Sequence, residues 1–182
     1  MSIPTVLVLP YPAQGHVNPM VTLSQKLVEH GCKVIFVNTD FNHKRVMSSM
    51  VEQQDHSLDE SPLMILLLHH GLGPNDDRHD RGKLCDAIGN TMPALLEKLI
   101  EDNHLNSDNS SRIRFIIADL GMIWALEVGR KFGIKGAIFF PMSATMFALL
   151  YNSPKLINDG IINSDGKNII LNYPYLLLFI LA

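Results

Sequence analysis

The sequence predicts an α/β fold with a doubly wound parallel sheet, and two patterns predict it. Continuous aliphatic and β-branched runs, typical of strands that are buried on both faces, occur at residues 6–9, 32–37, 63–68, 113–118 and 137–140. Segments with a helical spacing of apolar residues separate these runs. Because strands that alternate with helices form right-handed βαβ units, we expect one parallel sheet.

The helices are predicted from apolar spacing and from residues that mark helix ends. The first is predicted over residues 20–30, with Asn18 as its N-cap, Pro19 in its first turn and Gly31 directly after it. The others are predicted at residues 42–51, 84–101, 124–132 and from residue 143 onward. Connectors are predicted at residues 53–61, 69–83 and 103–111.

Composition indicates a globular protein of ordinary domain size. The chain has 182 residues, of which 47% are hydrophobic and 18% are charged. A net charge of −3 argues against a nucleic-acid partner, since phosphate binding needs a basic surface. Two cysteines, Cys32 and Cys85, are too few for a disulfide framework. The apolar run at residues 6–9 has no basic segment before it, so we expect a strand there, no signal peptide and a cytoplasmic location.

The last segment of the chain differs in character from the rest. Residues 169–182 carry no charge, and Pro174 interrupts them. The stretch is shorter than the ~20 apolar residues that a membrane-spanning helix needs, so we expect no membrane span. Two interpretations are open: a buried terminal strand, or a foreign tail at the point where a longer protein was cut off.

Two residues that are far apart in the sequence are predicted to meet at one edge of the sheet. In the strand order 3-2-1-4-5 the first and fourth strands are neighbours, and ligands bind beyond their carboxyl ends. His16 follows the first strand and Asp119 follows the fourth. A carboxylate beside a histidine fixes its tautomer and stabilises the imidazolium, which makes the histidine a candidate general base. Gly15 would let a ligand approach the backbone, and a purely structural His16 is the alternative.

Other possible sites are weaker. One loop contains six potential metal ligands, namely His69, His70, Asp76, Asp77, His79 and Asp80. Their spacing fits no standard zinc pattern, so we prefer a solvated loop and expect no metal. The turn after the first strand has one glycine where a pyrophosphate turn needs three, which disfavours a dinucleotide-dependent oxidoreductase or epimerase.

Several segments together resemble motifs of the plant family 1 UDP-glycosyltransferases. They are residues 10–20 (PYPAQGHVNPM), 38–45 (NTDFNHKR), 117–124 (IADLGMIW) and 131–134 (KFGI). Residues 71–74 (GLGP) and 83–85 (KLC) resemble one subgroup, the 83A type. The resemblance extends over residues 3–167 and implies the N-terminal half of a GT-B fold, in which two Rossmann-like domains face a cleft.

The resemblance also implies a reaction and roles for particular residues. The family transfers a hexose, usually glucose, from a UDP-sugar to a hydroxyl of a small lipophilic acceptor such as a flavonol, with inversion and without a metal or other cofactor. By this likeness His16 takes the proton of the acceptor hydroxyl and Asp119 balances the new charge. Acceptor-binding residues would be Gln14, Gly15 and Phe139, and Ser143 would lie near the donor sugar.

The sequence departs from the family after residue 167. We interpret residues 1–167 as the acceptor-binding domain and residues 168–182 as an aberrant hydrophobic tail of a truncated product. The domain that binds the UDP-sugar in the family has no counterpart in the sequence, so we expect little or no transferase activity from this chain alone. The alternative is a non-catalytic fragment that binds a small molecule or a partner, which a donor-binding assay would distinguish.

Overall fold

The computed structural model describes residues 3–39, 62–73, 76, 80–106 and 111–163. Its strands form a single parallel sheet in the order β3-β2-β1-β4-β5. The strands are β1 (Thr5–Leu9), β2 (Lys33–Thr39), β3 (Leu63–Leu68), β4 (Ile113–Asp119) and β5 (Lys135–Phe139). The helices are α1 (Gln14–Glu29), α2 (Arg81–Asn106), α3 (Trp124–Lys131) and α4 (Ala144–Asn158). The predicted parallel sheet and its strand order are confirmed.

The central strands are buried on both faces, as their continuous apolar sequences predict. Val6 and Val8 of β1 pack with Val17 and Met20 of α1 on one face. Leu7 and Leu9 belong to the larger cluster on the other face, which contains residues from α2 and α3. Since side chains alternate along a strand, each face of β1 receives its own helical layer.

The same alternation in β4 decides where the carboxylate of Asp119 lies. Phe115 and Ile117 pack against the α1 cluster, whereas Ile116 and Ala118 belong to the opposite cluster. Asp119 continues the first series, so its side chain lies on the α1 side of the sheet. That position allows contact with a residue at the beginning of α1.

The start of α1 was predicted wrongly. The helix begins at Gln14, and Ala13 is the extended residue before it, with φ −126° and ψ 143°. The Ala13 carbonyl accepts from the N–H groups of His16 and Val17, each at 2.9 Å. Pro19 therefore lies inside the helix. Proline has no backbone N–H, so it removes one donor from the hydrogen-bond pattern of the helix.

Several other element boundaries also differ from the prediction. Helix α2 extends over Arg81–Asn106, so it begins three residues before and ends five residues after the predicted range of 84–101. Strand β5 begins at Lys135 and ends at Phe139, where residues 137–140 were predicted. Helix α3 ends at Lys131, one residue early. Gly31 does follow the end of α1 as predicted, with a φ of 84°.

The chain divides into two compact units, residues 1–141 and residues 142–182. The first unit contains the sheet with α1, α2 and α3, and the second contains α4. The predicted helix at residues 42–51, the connector at 53–61 and the tail at 168–182 lie outside the described residues. In the described part of the chain, none of the helices has the length and apolar character to cross a membrane.

Candidate active site

His16 and Asp119 meet at the carboxyl edge of the sheet. His16 lies in the first turn of α1 and Asp119 is the last residue of β4. The His16 Nδ1 atom is 2.8 Å from Asp119 Oδ2, although 103 positions separate the two residues in the chain. The side chain of Asp119 is fully buried, whereas that of His16 is 31% exposed. The imidazole therefore connects a buried carboxylate with solvent.

The second oxygen of the carboxylate is also bound. Asp119 Oδ1 accepts from the backbone N–H of Gly121 at 2.8 Å, in the short 3₁₀ turn Leu120–Met122 that follows β4. A buried carboxylate needs such partners, because leaving it unpaired is costly. An ionised carboxylate only accepts hydrogen bonds; with Asp119 in that form, Nδ1 of His16 is the donor and Nε2 is the ring nitrogen that can take up a proton.

The predicted acceptor-side residues lie at the same edge of the sheet. Gln14 and Gly15 are exposed at the start of α1, immediately before His16. A Cβ on Gly15 would meet no atom within 4 Å, so packing does not require glycine there. Phe139 pairs with Asp119 in the parallel register and packs partly buried against the α1 cluster. Their roles in acceptor binding stay predictions.

Ser143 has a structural role that sequence reasoning missed. It precedes α4 as the N-cap, and its hydroxyl accepts from the Met146 N–H at 3.2 Å. Serine before a helix is a common capping signal, which the sequence offered. Ser143 belongs to the second unit, and its place near a donor sugar stays a prediction.

The glycine-containing loop after β3 is fixed against α2. Gly71 has a φ of 94°, and a Cβ on it would be 2.7 Å from the Ala87 carbonyl oxygen and 2.6 Å from Thr91 Oγ1. Leu72 is buried in the larger cluster, which also contains Leu84 of α2. Among the residues that the structure describes, three or more potential metal ligands do not come together; Asp77 and His79 lie outside them.

Tyr11 is a residue of this site that sequence reasoning did not single out. Its ring lies 5.3 Å from the His16 ring, centre to centre, at an angle of 58°. Its hydroxyl lies 3.7 Å from the sulfur of Cys85 in α2. The only signal in the sequence is its position in the segment between β1 and His16.

Most of the chain is similar in sequence to known proteins. A family model described as glycosyltransferase, N-terminal domain, matches residues 3–65. UDP-glycosyltransferase 83A1 of Arabidopsis thaliana is 36% identical over 167 residues, which are 91% of this chain and 36% of that protein. The chain belongs to the plant UDP-glycosyltransferase family. The (R)-mandelonitrile beta-glucosyltransferase of Prunus dulcis, another member, is 35% identical over 87% of this chain and 32% of its own length. The chain thus spans about a third of the length of the plant UDP-glycosyltransferases that it matches.

Solved structures share the fold. Arabidopsis thaliana UGT89C1 complexed with quercetin superposes with a TM-score of 0.65 at 20% identity, over 82% of this chain and 37% of that one. Os79 from O. sativa in complex with UDP superposes with a TM-score of 0.61 at 21% identity, over 86% of this chain and 36% of that one. The predicted Rossmann-like arrangement of a plant UDP-glycosyltransferase is confirmed.

Proposed function

We propose that this chain supplies the acceptor-binding half and the general base of a UDP-sugar glycosyltransferase. The observation that carries the proposal is the 2.8 Å hydrogen bond from His16 to the buried Asp119, at the edge of the sheet where ligands of such folds bind. Membership of the plant UDP-glycosyltransferases supplies the reaction class.

In the proposed reaction the acceptor hydroxyl gives its proton to His16 Nε2 while its oxygen attacks C1 of the sugar. The bond between C1 and the diphosphate breaks, UDP leaves with the electron pair, and the anomeric centre is inverted. Asp119 stabilises the imidazolium that forms, through the hydrogen bond at Nδ1. General-base assistance of this kind contributes roughly 10²- to 10⁴-fold to a rate. No step of this scheme needs a metal or another cofactor.

The proposed acceptor is a small lipophilic molecule with a nucleophilic hydroxyl, such as a flavonol or another phenol. Relatives are named for the glucosylation of (R)-mandelonitrile and 7-deoxyloganetin, and a structural neighbour was solved with quercetin. Tyr11 and Phe139 place aromatic surface close to the His16–Asp119 pair. Glucose is the proposed sugar because these relatives are glucosyltransferases.

The proposed donor site lies in the part of the relatives' length that this chain does not span. Transfer requires donor and acceptor to be held in line, and such positioning contributes several kcal/mol, up to about 7–11, to lowering a barrier. We therefore expect little or no turnover by the chain alone.

A fusion protein tests both halves of the proposal. Residues 1–163 are joined to the C-terminal remainder of Arabidopsis thaliana UDP-glycosyltransferase 83A1, and fusion and native chain are incubated with UDP-glucose and a panel of phenolic acceptors. We expect the fusion to form glucoside and the native chain to form little or none. Turnover by the native chain at the rate of full-length relatives would contradict the proposal that the donor site lies in the part of the relatives that this chain does not span.

A non-catalytic role is the second outcome that this experiment distinguishes. A folded fusion that binds acceptors and UDP-glucose but forms no glucoside would favour a binding fragment over an enzyme half. Acceptor binding is measured for the native chain by ligand-observed NMR, so that the binding result does not depend on the fusion.

A further inference from the structure

We propose that Tyr11 and Gly121 form a positioning pair that holds the His16 imidazole against Asp119. The contacts themselves are independent of the proposed function. The consequence of these contacts for sugar transfer rests on the proposed function, because the orientation of the His16 ring affects the rate only if His16 is catalytic.

The ring of Tyr11 is fixed from several sides. It tilts against the His16 ring at a centre-to-centre distance of 5.3 Å, which is within the range of favourable aromatic contacts. Its half-buried ring packs against the larger core cluster, and its hydroxyl reaches the sulfur of Cys85. Tyr11 therefore connects α2 with the base at the start of α1.

Gly121 leaves the space that this ring occupies. A Cβ at position 121 would lie 2.8 Å from Tyr11 Cδ2 and 3.3 Å from Tyr11 Cγ. These atoms are at the base of the ring, so the ring as a whole would have to move. The φ of Gly121 is not in the left-handed region, so the contact with Tyr11, and not backbone conformation, demands glycine here.

Gly121 also touches the other member of the catalytic pair. Its N–H donates to Asp119 Oδ1 at 2.8 Å, and alanine at this position would keep that N–H. A Gly121→Ala substitution therefore acts on His16 through the Tyr11 ring, while the backbone donor to Asp119 is retained. Gly121 therefore contacts both the carboxylate of Asp119 and the ring of Tyr11.

The tautomer of His16 in the full chain reports the effect directly. Long-range ¹⁵N–¹H NMR spectra of the histidine rings are recorded at neutral pH for the native chain and for Tyr11→Phe, Tyr11→Ala and Gly121→Ala. We expect a protonated Nδ1 and an unprotonated Nε2 in the native chain and in Tyr11→Phe, which keeps the ring. In Tyr11→Ala and Gly121→Ala we expect the Nδ1–H population to fall by at least half.

A double variant separates this coupling from general damage. In Tyr11→Ala/Gly121→Ala the new methyl group has no ring to displace, so we expect the same His16 signals as in Tyr11→Ala alone. Gly89→Ala is the matched control, because a Cβ there meets nothing within 4 Å. His30, which bonds the Lys26 carbonyl at the other end of α1, should keep its signals in every folded variant.

The outcomes distinguish this inference from the proposed function. Native-like His16 signals in both Tyr11→Ala and Gly121→Ala would overturn the positioning pair and leave the base assignment intact. A native chain without a protonated Nδ1 would overturn both, since there would be no His16–Asp119 bond to hold. If Gly121→Ala does not fold, the comparison of Tyr11→Ala with Tyr11→Phe decides.

Discussion

At the scale of single residues, Asp119 has the strictest chemical requirement. Its carboxylate is fully buried, and its two oxygens have different partners, the imidazole of His16 and the N–H of Gly121. Asparagine would preserve the shape of the side chain but remove the charge. It would also offer an N–H₂ group where an acceptor is needed, which favours the wrong histidine tautomer.

Replacing Asp119 by asparagine should therefore lower the turnover of the fusion protein strongly. We expect a fall in kcat on the order of 10²- to 10⁴-fold, with little change in the KM for the acceptor, because the lost interaction strengthens in the transition state. Steady-state kinetics with UDP-glucose and a responsive phenol measure both constants. Asp102→Asn, an exposed change in α2, is the control. A kcat for Asp119→Asn within about threefold of the parent would argue against its proposed role.

The meeting of His16 with Asp119 was predictable, whereas the contact of Tyr11 with Gly121 was not. The first follows from strand order, which brings the ends of β1 and β4 together whatever the details of packing. The second depends on which way one aromatic ring turns, and a single sequence does not encode that in any local pattern. The tight Gly121–Tyr11 contact emerges only from side-chain packing in three dimensions.

At the scale of helices and strands, the errors of prediction lie at the ends. Asn18-Pro19 is a common start signal, yet α1 begins at Gln14 with no side-chain cap. The sequence pattern was outweighed by the early turn at Ala13, whose carbonyl accepts the first helical hydrogen bonds. The error matters for the site, because it moves His16 from a loop into the first turn of a helix.

Close packing of β5 against β4 at Gly136 predicts that two glycine-to-alanine substitutions change the free energy of unfolding in opposite directions. A Cβ on Gly136 would be 2.8 Å from the backbone oxygen of Ile116 and 2.4 Å from Leu126 Cδ2. We expect Gly136→Ala to lower the free energy of unfolding by about 1–3 kcal/mol, the usual cost of overpacking. Gly89 is an exposed residue in the middle of α2, so Gly89→Ala should raise the free energy of unfolding by about 0.5–1 kcal/mol. Urea unfolding monitored by circular dichroism measures both changes. Equal changes in the free energy of unfolding would contradict the close packing at Gly136.

The beginning of α4 provides a second test at this scale. Ser143→Ala removes the hydroxyl that accepts from the Met146 N–H, which should destabilise the first turn by about 1 kcal/mol. Amide hydrogen exchange at Met146 should become faster, while exchange in α1 stays as in the parent. Ser153→Ala is a matched control, since that hydroxyl donates to the Leu150 carbonyl within the helix and caps no end. Unchanged exchange at Met146 would show that the cap does not stabilise the helix.

At the scale of the whole molecule, the sequence specified the architecture well. Alternating strand and helix patterns were enough to predict a parallel sheet with β1 at its centre, and the structure has that sheet. The motifs at residues 10–20, 38–45, 117–124 and 131–134 pointed to the family that the comparisons confirm. The division at residue 141 was not visible in the sequence, because it reflects how segments pack and not a change of composition.

The proposed reaction requires His16 to act as the base, and the turnover of a His16 variant is the decisive observation. The kcat for glucoside formation is determined for the fusion protein with His16→Ala and, as the matched control, with His30→Ala at the exposed end of α1. This role of His16 predicts a loss in kcat on the order of 10²-fold or more for His16→Ala and parental turnover for His30→Ala. Parental turnover by a folded His16→Ala fusion would contradict it.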